Sequence, residues 1–203
     1  MDNLRRLEEI FAHFPGIGPR QARRFVYYLL SRSQSTVKEF ADLVMAVKQN
    51  STECPVCHRF FLAGKTTTGA ADCNICTDAA RDHEKLMIVA RDVDFESIEK
   101  SGAYKGLYFI LGGTVPILDQ EPDKKIRLQK LLDQVRQNTE LKEIILSLNT
   151  TPDGEHTAEI VHAALQKNIP NMKVTVLGRG LSTGAELEYA DNETIRNALQ
   201  NRH

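Results

Sequence analysis

Apolar residues fall at spacings of three and four through the start of the chain: Leu4, Leu7, Ile10, Phe11 and Phe14, then Phe25, Val26, Leu29 and Leu30, then Phe40, Leu43, Val44 and Val47. That is the period of amphipathic helices, and it predicts a helical region over residues 1–52, broken at Pro15-Gly16-Ile17-Gly18-Pro19. From Leu86 onward the rhythm changes to short apolar runs at Leu86–Val89, Leu107–Leu111, Ile144–Leu148 and Val174–Leu177. Each has the length of a strand buried on both faces. Between them, Leu128, Leu131, Leu132 and Val135 mark one amphipathic helix, and Ala158, Val161, His162 and Leu165 another. Strands alternating with helices imply a largely parallel sheet with helices on both faces. The segment Glu186–Ala190 alternates like an edge strand, and Asn192 is placed to cap a last helix running to Leu199.

The stretch between the two regimes has its own signature. All four cysteines lie in it, as Cys54-Pro-Val-Cys57 and Cys73-Asn-Ile-Cys76, with fifteen residues between the pairs. Two such turns bring four thiolates to the corners of a tetrahedron, the arrangement of a structural zinc site. A thioredoxin-type redox pair would use one C-x-x-C opening a helix; Pro55 and the matching second pair argue instead for a closed metal module over residues 53–78. Four thiolates complete the coordination sphere, so this zinc is expected to fold the module and do no chemistry. Between the knuckles, Gly64, Thr66, Thr67, Thr68 and Gly69 predict a loop or short hairpin.

Composition narrows the class. The 203 residues are 41% hydrophobic, 26% charged and 6% aromatic, which is ordinary globular chemistry and excludes disordered and collagenous readings. No apolar run approaches the roughly 18 residues of a membrane span, and the opening MDNLRRLEEIF mixes charges into any signal core. No membrane partner is expected, and the cytoplasm is the expected location. The net charge of −1 gives the whole chain no pull on nucleic acid, but residues 1–50 hold eight Lys/Arg against five Asp/Glu. Three of those bases, Arg20, Arg23 and Arg24, follow the Gly16/Gly18 turn directly. The glycines allow a tight turn, Pro19 suits the first helical position, and the helix start presents unpaired amides to a phosphate. Arg20 and Arg24 lie one turn apart on one face, where they could bracket a DNA backbone without reading bases. The alternative is a plain helix connection with a solvated basic face.

Two loops after predicted strands carry further candidates. Asp153 and Glu155, in Asn149-Thr150-Thr151-Pro152-Asp153-Gly154-Glu155, follow the strand ending at Leu148 and form a candidate cation or partner site, since ligands gather at strand C-terminal ends in parallel sheets. The competing reading makes Asp153 a loop residue and Glu155 a first-turn helix residue stabilised by the dipole. The loop Gly178–Gly184 lacks the lysine of a phosphate loop, and a tight turn supporting a subunit contact explains it equally well.

The order of these parts, with Gly102-Ala103-Tyr104-Lys105-Gly106, Leu111-Gly112-Gly113, the Asn149–Glu155 run and Gly184-Ala185-Glu186-Leu187-Glu188-Tyr189-Ala190-Asp191, resembles the RecR family of bacterial recombination proteins across essentially the whole chain. The resemblance implies a multidomain α+β and α/β fold: a helix-hairpin-helix DNA-binding region at 1–52, a four-cysteine zinc finger at 53–78, a Toprim-like α/β domain with a largely parallel sheet at 79–174, and a C-terminal oligomerisation segment with a strand and a helix at 175–203. It further implies a recombination mediator in DNA repair, nucleoid-associated. Such a mediator forms a ring, expected as a homotetramer, binds DNA without sequence preference, and acts with RecO and RecF to load RecA at gaps. Arg20 and Arg24 match the basic positions of the family's hairpin, and Cys54, Cys57, Cys73 and Cys76 match its zinc ligands. Toprim enzymes hold Mg2+ with a glutamate at the end of the first strand, and counting back from Asp94-Phe95-Glu96 that place falls on Ala90. A methyl group ligates nothing, so Mg2+ would have only Asp153 and Glu155, with Asp92 or Asp94 as substitutes, and no turnover is expected. The rival reading is a magnesium-dependent nucleotidyl-transfer or strand-cleaving enzyme.

Overall fold

A computed structural model describes residues 2–62, 72–119, 121 and 124–202 of the chain. The loop expected at Gly64–Gly69 lies outside the described residues. Two units emerge, a largely helical one of Met1–Ser51 together with Leu62–Gly64, and a second of Thr52–Phe61 and Lys65–His203 that contains the cysteines and the α/β domain.

The helical unit comprises α1 (Asn3–Ala12), α2 (Pro19–Leu30) and α3 (Gln34–Asn50). Each start has a local cause. The Asp2 carboxylate accepts the Leu4 amide at 3.1 Å, Pro19 opens α2 with its preset φ, and the Ser33 hydroxyl accepts the Thr36 amide at 3.2 Å. The first two helices close on a small core of Phe11, Ala22 and Val26, flanked by Leu4, Leu7, Ile17 and Leu29. The third has no buried residue at all, and Phe40, Leu43, Val44 and Val47, the residues that predicted it, are exposed. Fully burying a Val or Phe side chain contributes about 1.5–3 kcal/mol. This unit therefore has a thin core and an apolar helix face left over.

Next along the chain, a two-stranded sheet of β1 (Ser51–Glu53) and β2 (Phe60–Leu62) flanks the first cysteine pair. The chain then runs β3 (Asp82–Val89), α4 (Asp92–Ser101), β4 (Gly106–Ile110), α5 (Leu128–Gln137), β5 (Glu143–Ser147), α6 (Pro152–Asn168) and β6 (Lys173–Val176). All four predicted apolar runs form one parallel sheet in the order β4-β3-β5-β6, with Leu86 opposite both Leu107 and Ile144. Alternate residues divide between two cores. Leu86, Ile88, Leu107, Phe109, Ile144 and Leu146 pack with Leu131, Leu132 and Val135 of α5 and Val161 and Leu165 of α6. Met87, Val89, Tyr108 and Ile110 face the other way, against Phe95 of α4 and against Cys54, Cys57, Cys73 and Ile75. The cysteine module thus covers one face of the sheet jointly with a helix, and the Ile110 amide at the end of β4 donates to the Cys57 carbonyl at 2.9 Å.

Three expectations are corrected. The outer strand β6 is only half covered, with Val176 exposed, because nothing pairs with its far edge among the described residues. The segment Glu186–Ala190 is not an edge strand. It winds into a 3-10 turn over Leu187–Tyr189, with Leu187 and Tyr189 both exposed. Alternation makes a strand only where one face meets a core; Leu187 and Tyr189 meet none. The last helix, α7 (Asn192–Gln200), is capped by Asp191 in place of Asn192, its Oδ1 accepting the Glu193 and Thr194 amides, each at 2.9 Å. Among the described residues, no helix is long and apolar enough to cross a membrane.

Candidate nucleic-acid interface and metal centre

The turn between α1 and α2 is built as its sequence suggests. Gly16 sits at φ +76, a left-handed conformation that a side chain would strain, and Gly18 is the N-cap of α2 with no side-chain cap of its own. The first amides of α2 are therefore left for solvent or a ligand, at the positive end of the helix dipole. Arg20, Arg23 and Arg24 are all exposed, but they are not equivalent. Arg23 reaches back to α1, its Nε 3.3 Å from Glu8 Oε1. Arg24 makes one long hydrogen bond, donating to Gln21 Oε1 at 3.4 Å, while Arg20 has no ion pair or side-chain hydrogen bond among the described residues. Two exposed guanidinium groups without an ion pair, one turn apart, thus flank the open amides, and the exposed Arg23 is tied to α1 through Glu8.

The four cysteine sulfurs lie within 4.8 Å of one another, with Cys54 Sγ to Cys76 Sγ at 3.8 Å and Cys57 Sγ to Cys73 Sγ at 3.5 Å. A tetrahedral site with metal–sulfur bonds of about 2.3 Å has sulfur edges of about 3.8 Å, so the donor set fits a metal ion and is compatible with structural zinc. Each knuckle is a tight backbone turn: the His58 amide donates to the Cys54 carbonyl at 3.0 Å, and the Thr77 amide to the Cys73 carbonyl at 3.1 Å. Hydrogen bonds from Cys57, Cys73 and Cys76 push the Cys54 thiol far below its ordinary range, while Cys54 and its neighbours push Cys57 and Cys76 up. Thiolates this crowded cannot all ionise together without a cation to share their charge. Three of the four are buried, Cys76 less so.

The acidic candidates are brought near one another in sequence but are each engaged elsewhere. Asp153 Oδ1 accepts the Ile117 amide at 3.3 Å, and Glu155 Oε1 lies 2.8 Å from Arg179 Nη1, which also sits 3.5 Å from Glu193. Gly154 between them is forced by packing, since a Cβ there would run into the Asn149 carbonyl. Asp92 accepts the Phe60 amide at 2.8 Å and Asp94 the Arg91 amide at 3.0 Å. Ala90 lies buried at the end of β3. Among the described residues, the four cysteines are the only group of three or more His, Cys, Asp or Glu side chains placed to hold a metal ion.

Several polar residues that sequence reasoning passed over hold this unit together. Arg81 is buried between the Gly106 carbonyl and Glu99, whose other oxygen accepts the Tyr108 hydroxyl at 3.0 Å. Thr157, fully buried, accepts the Val115 amide at 2.8 Å. Burial works against the Glu53 carboxylate, but the hydrogen bond with His58 at 2.7 Å and the charge of Arg127 at 3.4 Å hold its pKa below the usual range. Nothing in spacing marks these partners, because Arg81 with Glu99, Glu99 with Tyr108 and Thr157 with Val115 meet across 18, 9 and 42 positions.

Comparison with known proteins accounts for the assembly of parts. The family model described as "RecR, helix-hairpin-helix" matches residues 4–47, "Toprim domain" matches 84–178, and "RecR, C-terminal" matches 180–203. Curated relatives named "Recombination protein RecR" include those of Streptococcus mutans, 35% identical over 98% of this chain and 96% of its own, and Lactobacillus acidophilus, 32% identical over 97% and 94%. That of Ligilactobacillus salivarius is 33% identical over 98% and 96%. The chain belongs to the RecR family.

Proposed function

We propose that this member of the RecR family is a DNA-binding recombination mediator in DNA repair that works as a homo-oligomer, a ring of four chains, and carries a structural zinc ion on Cys54, Cys57, Cys73 and Cys76. Its partners are RecO and RecF, and its task is to help load RecA at gaps. The observation that carries the reading is the pairing of exposed Arg20 and Arg24 with the uncapped start of α2. These groups offer charge and backbone amides to phosphates and no side chain shaped to a base edge, so binding is indifferent to sequence.

The uncovered faces support an assembly: Phe40, Leu43, Val44 and Val47 on α3, and Leu187, Tyr189 and Leu199 near the C-terminus, are exposed apolar residues. A single hairpin gives a short footprint on DNA, and several acting on one strand raise the effective concentration of the rest. The chain is proposed to have no turnover of its own. Ala90 offers no ligand, Asp92 and Asp94 are taken by backbone amides, and Arg179 neutralises Glu155. Zinc, when bound, supplies folding energy at a closed sphere.

The test is a DNA titration across salt concentrations with Arg20→Ala/Arg24→Ala. Affinity should fall for all sequences alike, and the log–log salt slope should become shallower by about 0.7–0.9 for each phosphate that the variant no longer neutralises. Wild-type affinity and slope in the double variant would remove the hairpin as the DNA site. Magnesium-dependent cleavage or primer synthesis abolished by Asp153→Asn would overturn the non-enzymatic reading.

A further inference from the structure

The basic stripe on α2 does not end with its arginines. Arg20, Arg24 and Tyr28 follow one another at intervals of four along the same helix, so they stand on one face, with about 6 Å of axial rise per step. That face is set apart from the one packed on α1, which carries Ala22 and Val26. Tyr28 is 55% exposed. Beyond the end of α2, the turn residue Arg32 places its guanidinium carbon 4.1 Å from the centroid of the Tyr28 ring. The turn holds that arrangement: the Arg32 amide donates to the Leu29 carbonyl at 3.0 Å, and the Ser31 hydroxyl to the Tyr28 carbonyl at 2.7 Å.

We propose that Tyr28, backed by Arg32, is a base-stacking platform that gives the α2 stripe its preference for single-stranded DNA. The proposal rests on the reading of Arg20 and Arg24 as phosphate-binding groups. An aromatic ring at the end of a line of arginines reproduces the two components of single-strand binding: charge that tracks the backbone and a π-face on which an unpaired base can lie. The guanidinium against the ring fixes its orientation before DNA arrives, so little side-chain freedom remains to be lost on binding. Every base has a π-face, so this stacking adds affinity without adding sequence readout. In a duplex the bases are already stacked on each other, and the platform has nothing to take. The arginines alone would treat the two forms of DNA alike; the tyrosine makes the difference.

Fluorescence anisotropy on the full, metal-loaded chain tests this with three probes: labelled oligo-dT, an abasic strand of equal length, and a duplex. Tyr28→Ala should weaken oligo-dT binding about five- to a hundredfold, the range of alanine substitutions at stacking aromatics. It should leave abasic-strand and duplex binding and the salt slope unchanged, and Tyr28→Phe should bind as wild type. Thermal unfolding checks that the exposed substitution leaves the fold intact. Wild-type oligo-dT affinity in Tyr28→Ala, or an equal loss on the abasic strand, overturns the platform. Failure of the underlying reading would show in a different variant: Arg20→Ala/Arg24→Ala with wild-type affinity and salt slope on all three probes.

Discussion

The helical unit and the α/β unit solve the same problem to different degrees. In the α/β unit both faces of Leu86–Val89 and of β4 are covered, by α5 and α6 on one side and by α4 with the cysteine module on the other, so strand residues such as Ile88 and Phe109 are fully buried. In the helical unit two helices share three buried residues and the third helix buries none. The second unit buries a large core within a single chain and leaves apolar residues exposed chiefly at its outer strand and C-terminal segment; the helical unit leaves a whole apolar helix face exposed beside its basic residues. A surface of that kind is costly for an isolated protein and useful for one that assembles.

The largest effect expected concerns the cysteine module, because it is a wall of the sheet's core as well as a metal site. Metal removal, or Cys73→Ser, should destabilise the chain more than any single core truncation, since binding energy at such a site is folding energy. Chemical denaturation with and without chelator measures it; unchanged unfolding would show that the sheet does not depend on the module.

Next come two substitutions that set the units directly against each other. Phe109→Ala should cost about 3–5 kcal/mol in denaturant unfolding, as truncating a fully buried aromatic does. Leu43→Asp with Val47→Asp on α3 should leave unfolding nearly unchanged while reducing the mass in solution toward the 22.8 kDa of one chain. If the α3 pair instead unfolds the protein without altering its mass, the uncovered face is structural and the contrast fails.

A smaller effect is expected at Thr157→Val, which keeps the shape and removes the acceptor of the buried Val115 amide. Leaving that group unpaired should cost about 1–3 kcal/mol and speed hydrogen exchange at Val115. The smallest effect lies at the C-terminal helix. Hydrogen bonds from the Thr194 amide and hydroxyl, and from the Glu193 amide, hold the Asp191 carboxyl below the usual carboxylate range. A lowered folded pKa contributes stability above the unfolded value of about 3.9 and loses it as pH falls through the folded value. Fraying of α7 should therefore appear only in that acid window, and at all pH values in Asp191→Ala; chemical shifts of Thr194 report both.

Four strands, their alternation with helices, the proline-flanked hairpin and the four-cysteine spacing were all legible in the amino-acid order. These features are written in local periods and intervals, which depend on backbone geometry that every chain shares. The same order placed Arg20, Arg23 and Arg24 together but could not separate them, because whether an arginine is free or paired with Glu8 depends on a residue fifteen positions away. The remaining features arose only when distant segments met. Folding laid the cysteine module against Met87, Val89 and Tyr108, and it gave Asp92, Asp153 and Glu155 partners at Phe60, Ile117 and Arg179. It also turned Glu186–Ala190 into a 3-10 turn where alternation predicted a strand. Each of those outcomes turns on which distant group arrives to satisfy a hydrogen bond, balance a charge or cover an apolar face, and no local pattern encodes that arrival.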